Sequence, residues 1–319
     1  MNRVCQLLGI RYPIVAAGMV WWSNADLCAA AAEAGCLGLL AGGSHTPAEM
    51  AVAIDEVRRR TKGAFGINIP LIYDHAAEIV KIGLEKGVKI YFTSAGSPKK
   101  LTGLIKQNGG VAIHVVPSAK LAKKCEEAGV DAVVAEGAEG GGHLALDPVA
   151  SMVLWPAVAD AVSIPVIAAG GIADERHLAA AFALGAEGIQ VGTRFIACAE
   201  STGHAAYVER LLGSDETGTA VTGRFAMPVR ALRNQLTEAI WELEKQGKSP
   251  DEILTFVGRG RARKATLEGD VEWGSMQCGQ VAGLIHDRPP LAELVGRFVN
   301  GYRRVIERLG AMDPADQTR

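Results

Sequence analysis

The chain of 319 residues is short of several things, and each shortage excludes a class of protein. Its six cysteines (Cys5, Cys28, Cys36, Cys125, Cys198, Cys278) are scattered, with no C-x-x-C pair and no histidine at metal-ligand spacing. That pattern predicts reduced thiols in a cytoplasmic protein, not a disulfide framework or a zinc site. The motif H-E-x-x-H is absent, and no catalytic metal is expected. Aromatic residues make up only 5% of the chain. No stretch reaches the roughly 18 uninterrupted apolar residues of a membrane span. In the N-terminal stretch MNRVCQLLGIRYPIVAAGM, Arg11 and Pro13 interrupt any apolar signal core. Charge of one sign is also missing: 33 basic and 35 acidic residues leave a formal net charge of -2, so no global field draws the chain to nucleic acid or to an anionic membrane.

What is abundant is small and apolar. The chain has 38 glycines and is 49% hydrophobic, the balance of a compact α/β protein. Eight short apolar runs recur: PIVAAG (13–18), LGLLAGG (37–43), FGINI (65–69), KIYFTSAG (89–96), VAIHVV (111–116), DAVVAEG (131–137), PVIAAGG (165–171) and GIQVGT (188–193). Between them lie alanine-rich segments with apolar residues at helical spacing, most ending in glycine. Runs apolar throughout fit strands buried on both faces, and strict alternation with helices calls for a parallel sheet with right-handed crossovers. Eight such units predict a (β/α)8 TIM barrel over residues 1–200. Residues 201–265 read as an appended helical lid that includes VRALRNQLTEAIWELEKQ (229–246), and residues 266–319 as a C-terminal segment returning to pack on the barrel.

In such barrels chemistry sits on the loops after the strands. The loops after the seventh and eighth runs, AAGGIAD (168–174) and VGTRF (191–195), supply glycines whose N–H groups can surround an anion, so Gly170, Gly171, Gly192 and Thr193 form an expected phosphate cradle. After the sixth run comes EGAEGGGHLALD (136–147), whose triple glycine suits no regular element and brings His143 close to whatever the barrel mouth holds. A histidine there suits proton transfer or hydrogen bonding to a reacting group. Gly18 and Met19 offer a flat ring a backbone wall and a polarizable thioether, and Asn68 an amide that both donates and accepts. His114, within the fifth run, reads as a satisfied core histidine. The remaining histidines carry no metal spacing.

At these residues the chain resembles the nitronate monooxygenase (2-nitropropane dioxygenase) superfamily of FMN-dependent TIM barrels. YPIVAAGM, FGIN, AEGAEGGGH, PVIAAGGIAD and QVGTRF carry the likeness over about the first 200 residues. HVVPS (114–118), VRALRNQLT (229–237) and GSMQCGQVAGLI (274–285) are similar to the branch of flavin-dependent bacterial enoyl-acyl carrier protein reductases. The resemblance implies FMN with its ring near Gly18, Met19 and Asn68 and its phosphate at Gly170, Gly171, Gly192 and Thr193. Glu136, Gly141, Gly142, Ala169 and Gln190 complete the implied cofactor set, and His143 matches the family's histidine beside the flavin. Two departures stand out. Ala16, Ala17 and Gly18 replace the glutamine and paired glycines usual before the methionine, and Val115 and Val116 stand where many nitronate monooxygenases carry a lysine.

The implied activity is reduction of 2-enoyl thioesters, with NADH or NADPH as reductant. The alternatives are nitronate oxidation, a nicotinamide-dependent quinone reductase, and, from a different class, a flavin-free phosphate-binding isomerase or lyase. An acidic acyl carrier protein is an expected partner for the cluster Arg259, Arg261, Arg263 and Lys264, against the plainer reading of a solvated basic turn. A homodimer is a further expectation. No nucleic-acid or membrane partner is expected.

Overall fold

The computed structural model describes residues 2–312. Its strands are β1 (Ile14–Ala16), β2 (Gly38–Ala41), β3 (Phe65–Pro70), β4 (Ile90–Ser94), β5 (Val111–Val116), β6 (Ala132–Glu136), β7 (Gly142–His143), β8 (Val166–Ala169), β9 (Gly188–Val191), β10 (Thr219–Thr222) and β11 (Val229–Leu232). Every one of the eight apolar runs holds a strand. These eight pair in parallel in the order β1-β9-β8-β6-β5-β4-β3-β2, and a bridge between Val15 and Leu37 brings the two edges together into a nearly closed (β/α)8 barrel. Val15, Leu39, Phe92, Ile113, Val134 and Ile167 fill its interior.

The outer helices form for local reasons that the sequence states. Helix Pro47–Arg60 opens with a capping box between Thr46 and Glu49, takes proline in its first turn, and ends on Arg58, Arg59 and Arg60, where cations suit the negative end of the helix dipole. Its buried residues Met50, Ala53, Ile54 and Val57 recur at three and four, which is one helical face. The final helix, Leu291–Gly310, buries Leu291, Leu294, Val295 and Phe298 in the core that also holds Leu178 and Ala181 of helix Glu175–Ala183. Phe298 meets Phe195 edge to face at 6.4 Å.

The stretch 229–246 departs from the expectation of a helix throughout. Val229–Leu232 is a strand, antiparallel to β10, and the helix runs only from Gln235 to Lys245. Asn234 explains the break: its extended backbone and side-chain bond to Thr237 N–H start the helix there, leaving the preceding residues free to pair. β11 also pairs with β7, so the triple-glycine loop, expected to hold no regular element, gives the small sheet its third strand. The segment after residue 200 shares its core with the barrel mouth: Trp22 and Ile196 pack with Tyr207, Leu211, Ala265, Met276 and Cys278.

Candidate active site

A cavity of about 1160 Å³, counted out to its open mouth, lies at the C-terminal ends of the strands. All thirteen residues singled out from the sequence line it: Gly18, Met19, Asn68, Glu136, Gly141, Gly142, His143, Ala169, Gly170, Gly171, Gln190, Gly192 and Thr193. Their convergence follows from the barrel register. Glu136 pairs with Ala169 across β6 and β8, Ala169 with Gln190 across β8 and β9, and Ala16 with Val191 across β1 and β9, so successive strand ends open on one space.

The glycines there have different physical reasons. Gly170 and Gly171 both adopt left-handed backbone, at φ 82° and 76°. A Cβ on Gly170 would lie 2.7 Å from the backbone N and O of Gly137. Gly170→Ala is therefore expected to lower stability by about 1–3 kcal/mol through overpacking and backbone strain. Denaturant unfolding checks this, and an unchanged midpoint would count against the close approach. Gly18 is needed by a neighbour: a Cβ there would meet Asn68 Cβ at 2.1 Å, and the Asn68 amide donates to Gly18 O at 3.1 Å. Gly141 is packed against protein and not held open for a ligand, since its Cβ would fall 2.4–2.5 Å from the backbone of Cys278 and Gly279. Gly142 is left-handed at φ 82° and turns the chain into β7.

Three titratable side chains give the cavity its electrostatics. The His143 imidazole is reachable from the open cavity, yet protein crowds it, and that desolvation holds its pKa below the ordinary histidine value. It is neutral at pH 7. Burial pushes the Glu136 carboxyl up to about 7, and no described residue offers it a cation. Glu139, which the sequence reading passed over, turns its carboxylate to Ser151, accepting from the backbone N–H at 3.1 Å and the hydroxyl at 2.8 Å. It thereby caps helix Ser151–Ala159, whose own N-cap, Ala150, has no side-chain acceptor. An alanine at a cap position, with a spare acid in the preceding loop, was the sequence signal.

The segment 275–281 was quoted as a motif but not assigned to the site, and it brings Ser275, Gln277, Gly279 and Val281 to the cavity. Gly279 N–H donates to Thr193 Oγ1 at 2.8 Å, which ties the tail to the start of helix Thr193–Ile196. Tyr207 OH donates to Gln277 O at 2.9 Å. Ala262 and Thr266 of helix Arg261–Glu268 form part of the roof. His114 is core, as expected, but only half satisfied: its Nδ1 lies 2.7 Å from Thr93 Oγ1, while its Nε2 has no partner. The basic cluster divides. Arg261 donates to the carbonyls of Val257 and Trp273, Arg263 pairs with Glu268, and Arg259 and Lys264 are exposed. Among the described residues no group of acids, histidines and cysteines is gathered as for a metal ion, and no helix is long and apolar enough to cross a membrane.

A family model described as nitronate monooxygenase matches residues 2–301. The chain belongs to the nitronate monooxygenase family. That makes it an oxidoreductase and sets aside the isomerase or lyase alternative. It is similar to the structure of FabK from Thermotoga maritima, with 41% identity, a TM-score of 0.93, and coverage of 98% of this chain and 99% of that one. A nitroalkane oxidase from Streptomyces ansochromogenes is 27% identical, with a TM-score of 0.83 over 96% of this chain and 99% of that one. Among curated proteins, a (3aS,4S,5R,7aS)-5-hydroxy-7a-methyl-1-oxo-octahydro-1H-indene-4-carboxyl-CoA dehydrogenase of Mycobacterium tuberculosis is 35% identical over 92% of this chain and 94% of its own length. A probable nitronate monooxygenase of Staphylococcus aureus is 30% identical over 96% and 98%.

Proposed function

We propose that this nitronate monooxygenase family member binds FMN and uses NADH or NADPH to reduce the double bond of 2-enoyl thioesters. The observation that carries the choice of substrate is the charge of the cavity: among the described residues no lysine or arginine lines it, while Glu136 and Glu139 do. A nitronate anion would meet no cationic side chain there, and Val115, which lines the wall, supplies none. An uncharged enoyl thioester needs no such partner. The likeness to FabK, an enoyl-acyl carrier protein reductase, and to a dehydrogenase of a CoA thioester supports the same class.

The cavity suits the cofactor. Left-handed Gly170 and Gly171 and the hydroxyl of Thr193 offer donors to a phosphate without any cation, and Gly18, Met19 and Asn68 offer a flat ring a wall and an amide edge. Bound FMN would supply the hydride that passes from the nicotinamide to the β-carbon of the thioester, and the enolate left behind would take its proton at the α-carbon from water entering the open cavity. His143 then acts through its neutral N–H, donating to the thioester carbonyl as negative charge grows on that oxygen. Its depressed pKa favours this over an imidazolium acid. The exposed Arg259 and Lys264 suit the acidic surface of a carrier protein, and six unpaired thiols suit the cytoplasm.

Anaerobic reduction by NADH or NADPH, followed by separate mixing with an enoyl thioester, a nitronate and a quinone, tests the reading. The enoyl thioester is expected to reoxidise the enzyme fastest. Faster reoxidation by either rival would overturn the substrate, and protein that stays colourless after incubation with FMN would overturn the cofactor.

A further inference from the structure

The backbone of His143 lies on a short strand. Its strand, β7, is two residues long and pairs only with β11, His143 opposite Val229 and Gly142 opposite Arg230. Leu144 N–H adds one bond, to Pro228 O at 2.9 Å. In the turn that leads into β7, residues 138–142, Ala138 N–H donates to Val149 O at 2.8 Å and Gln280 N–H to Glu139 O at 3.0 Å, and one residue, Arg230, bonds to both ends. The Arg230 backbone partners Gly142, while its guanidinium donates Nε and Nη2 to Ala138 O at 3.2 and 2.9 Å and Nη1 to Thr219 Oγ1 at 3.2 Å.

Arg230 is only 9% exposed, and every acceptor it uses is neutral. Glu139, the acid that feels its charge, gives its own oxygens to Ser151. Burying a guanidinium without a bonded carboxylate is costly, and an apolar side chain would fill such a space at less expense in desolvation. The fork of a guanidinium, however, puts two N–H groups on one carbonyl and a third on a separate oxygen, which neither an apolar chain nor a lysine ammonium reproduces.

We propose that Arg230 is a positioning residue for His143: by holding Ala138 and Gly142 together it fixes the turn that aims the imidazole into the cavity. The proposal rests on the reading of His143 as the donor to the substrate carbonyl.

The test is a double-mutant cycle on the FMN-loaded enzyme. Arg230→Lys and Arg230→Met are made alone and in a His143→Ala background, and thioester reduction is measured beside FMN affinity. Misplacing a reacting group by about 1 Å costs on the order of 10²-fold, so Arg230→Lys is expected to lower kcat by about 10- to 10²-fold with KM and FMN affinity unchanged. In the His143→Ala background the same change is expected to cost nothing further. A loss of equal size in that background would show a merely structural role and overturn the proposal, as would an Arg230→Lys enzyme with the parent kcat. Should Arg230→Met fail to fold, the lysine variant, which keeps charge and length, carries the cycle by itself. A parental rate in His143→Ala alone would overturn the proposal together with the reading beneath it, and is told apart from the other outcomes because it needs no change at Arg230.

Discussion

Replacing His143 with alanine is expected to slow reduction of an enoyl thioester by about 10²–10³-fold, the usual cost of removing one donor from an oxyanion site. FMN affinity should hold, because the proposed cradle at Gly170, Gly171 and Thr193 and the proposed ring contacts at Gly18 and Asn68 lie on other strand ends. The loss should fall on the step in which the reduced enzyme meets the thioester and should spare reduction by the nicotinamide. Single-turnover mixing of pre-reduced enzyme with substrate separates the two. A His143→Ala enzyme with an unimpaired second step would end the proposed role. The pH profile gives the sign: desolvation lowers the His143 pKa, so a step that uses the neutral ring as donor should be independent of pH from neutrality upward.

A second large effect is expected at Glu136. Its carboxyl titrates at about 7 in the folded protein against an ordinary 4.5, and burial is the cause. Below pH 4.5 the group is protonated in both folded and unfolded chains and costs nothing. As pH rises from 4.5 to 7 the unfolded chain gives up its proton first, so stability is lost across that window and stays lost above it. At 1.36 kcal/mol per pKa unit the full penalty is about 3 kcal/mol, reduced to about 2–3 by water in the open cavity. The neighbours do not mask it: Glu139 is engaged by Ser151, His143 is neutral, and burial holds the Tyr207 hydroxyl protonated. Glu136→Gln should therefore raise the melting temperature of flavin-stripped protein by several degrees at pH 8 and leave it unchanged at pH 4.5. A shift of equal size at both pH values would count against a buried ionising carboxyl.

Much of the architecture was legible because barrel strands buried on both faces are written as unbroken apolar runs, and all eight runs hold strands. The site was legible for a related reason. Chemistry in a barrel gathers at the strand ends, so a correct strand count puts Gly18, Asn68, Glu136, Ala169 and Gln190 on the same rim. The stretch 229–232 was not legible. Its pairing partners are β10 and a two-residue strand some 90 positions earlier, and an edge made of Gly142 and His143 has no periodicity to read. Glu139 was missed because its partner is the bare N-terminus of a helix that begins twelve residues later.

By itself the sequence determined the barrel, the strand ends that line the cavity and the histidine among them, since each of these follows from local pattern repeated eight times. Tertiary structure alone decided which of these glycines are packed against protein backbone and which are not. It also set Glu136 near neutrality and tied His143 to Arg230, because close approach, burial and long-range pairing arise only when distant segments are packed together.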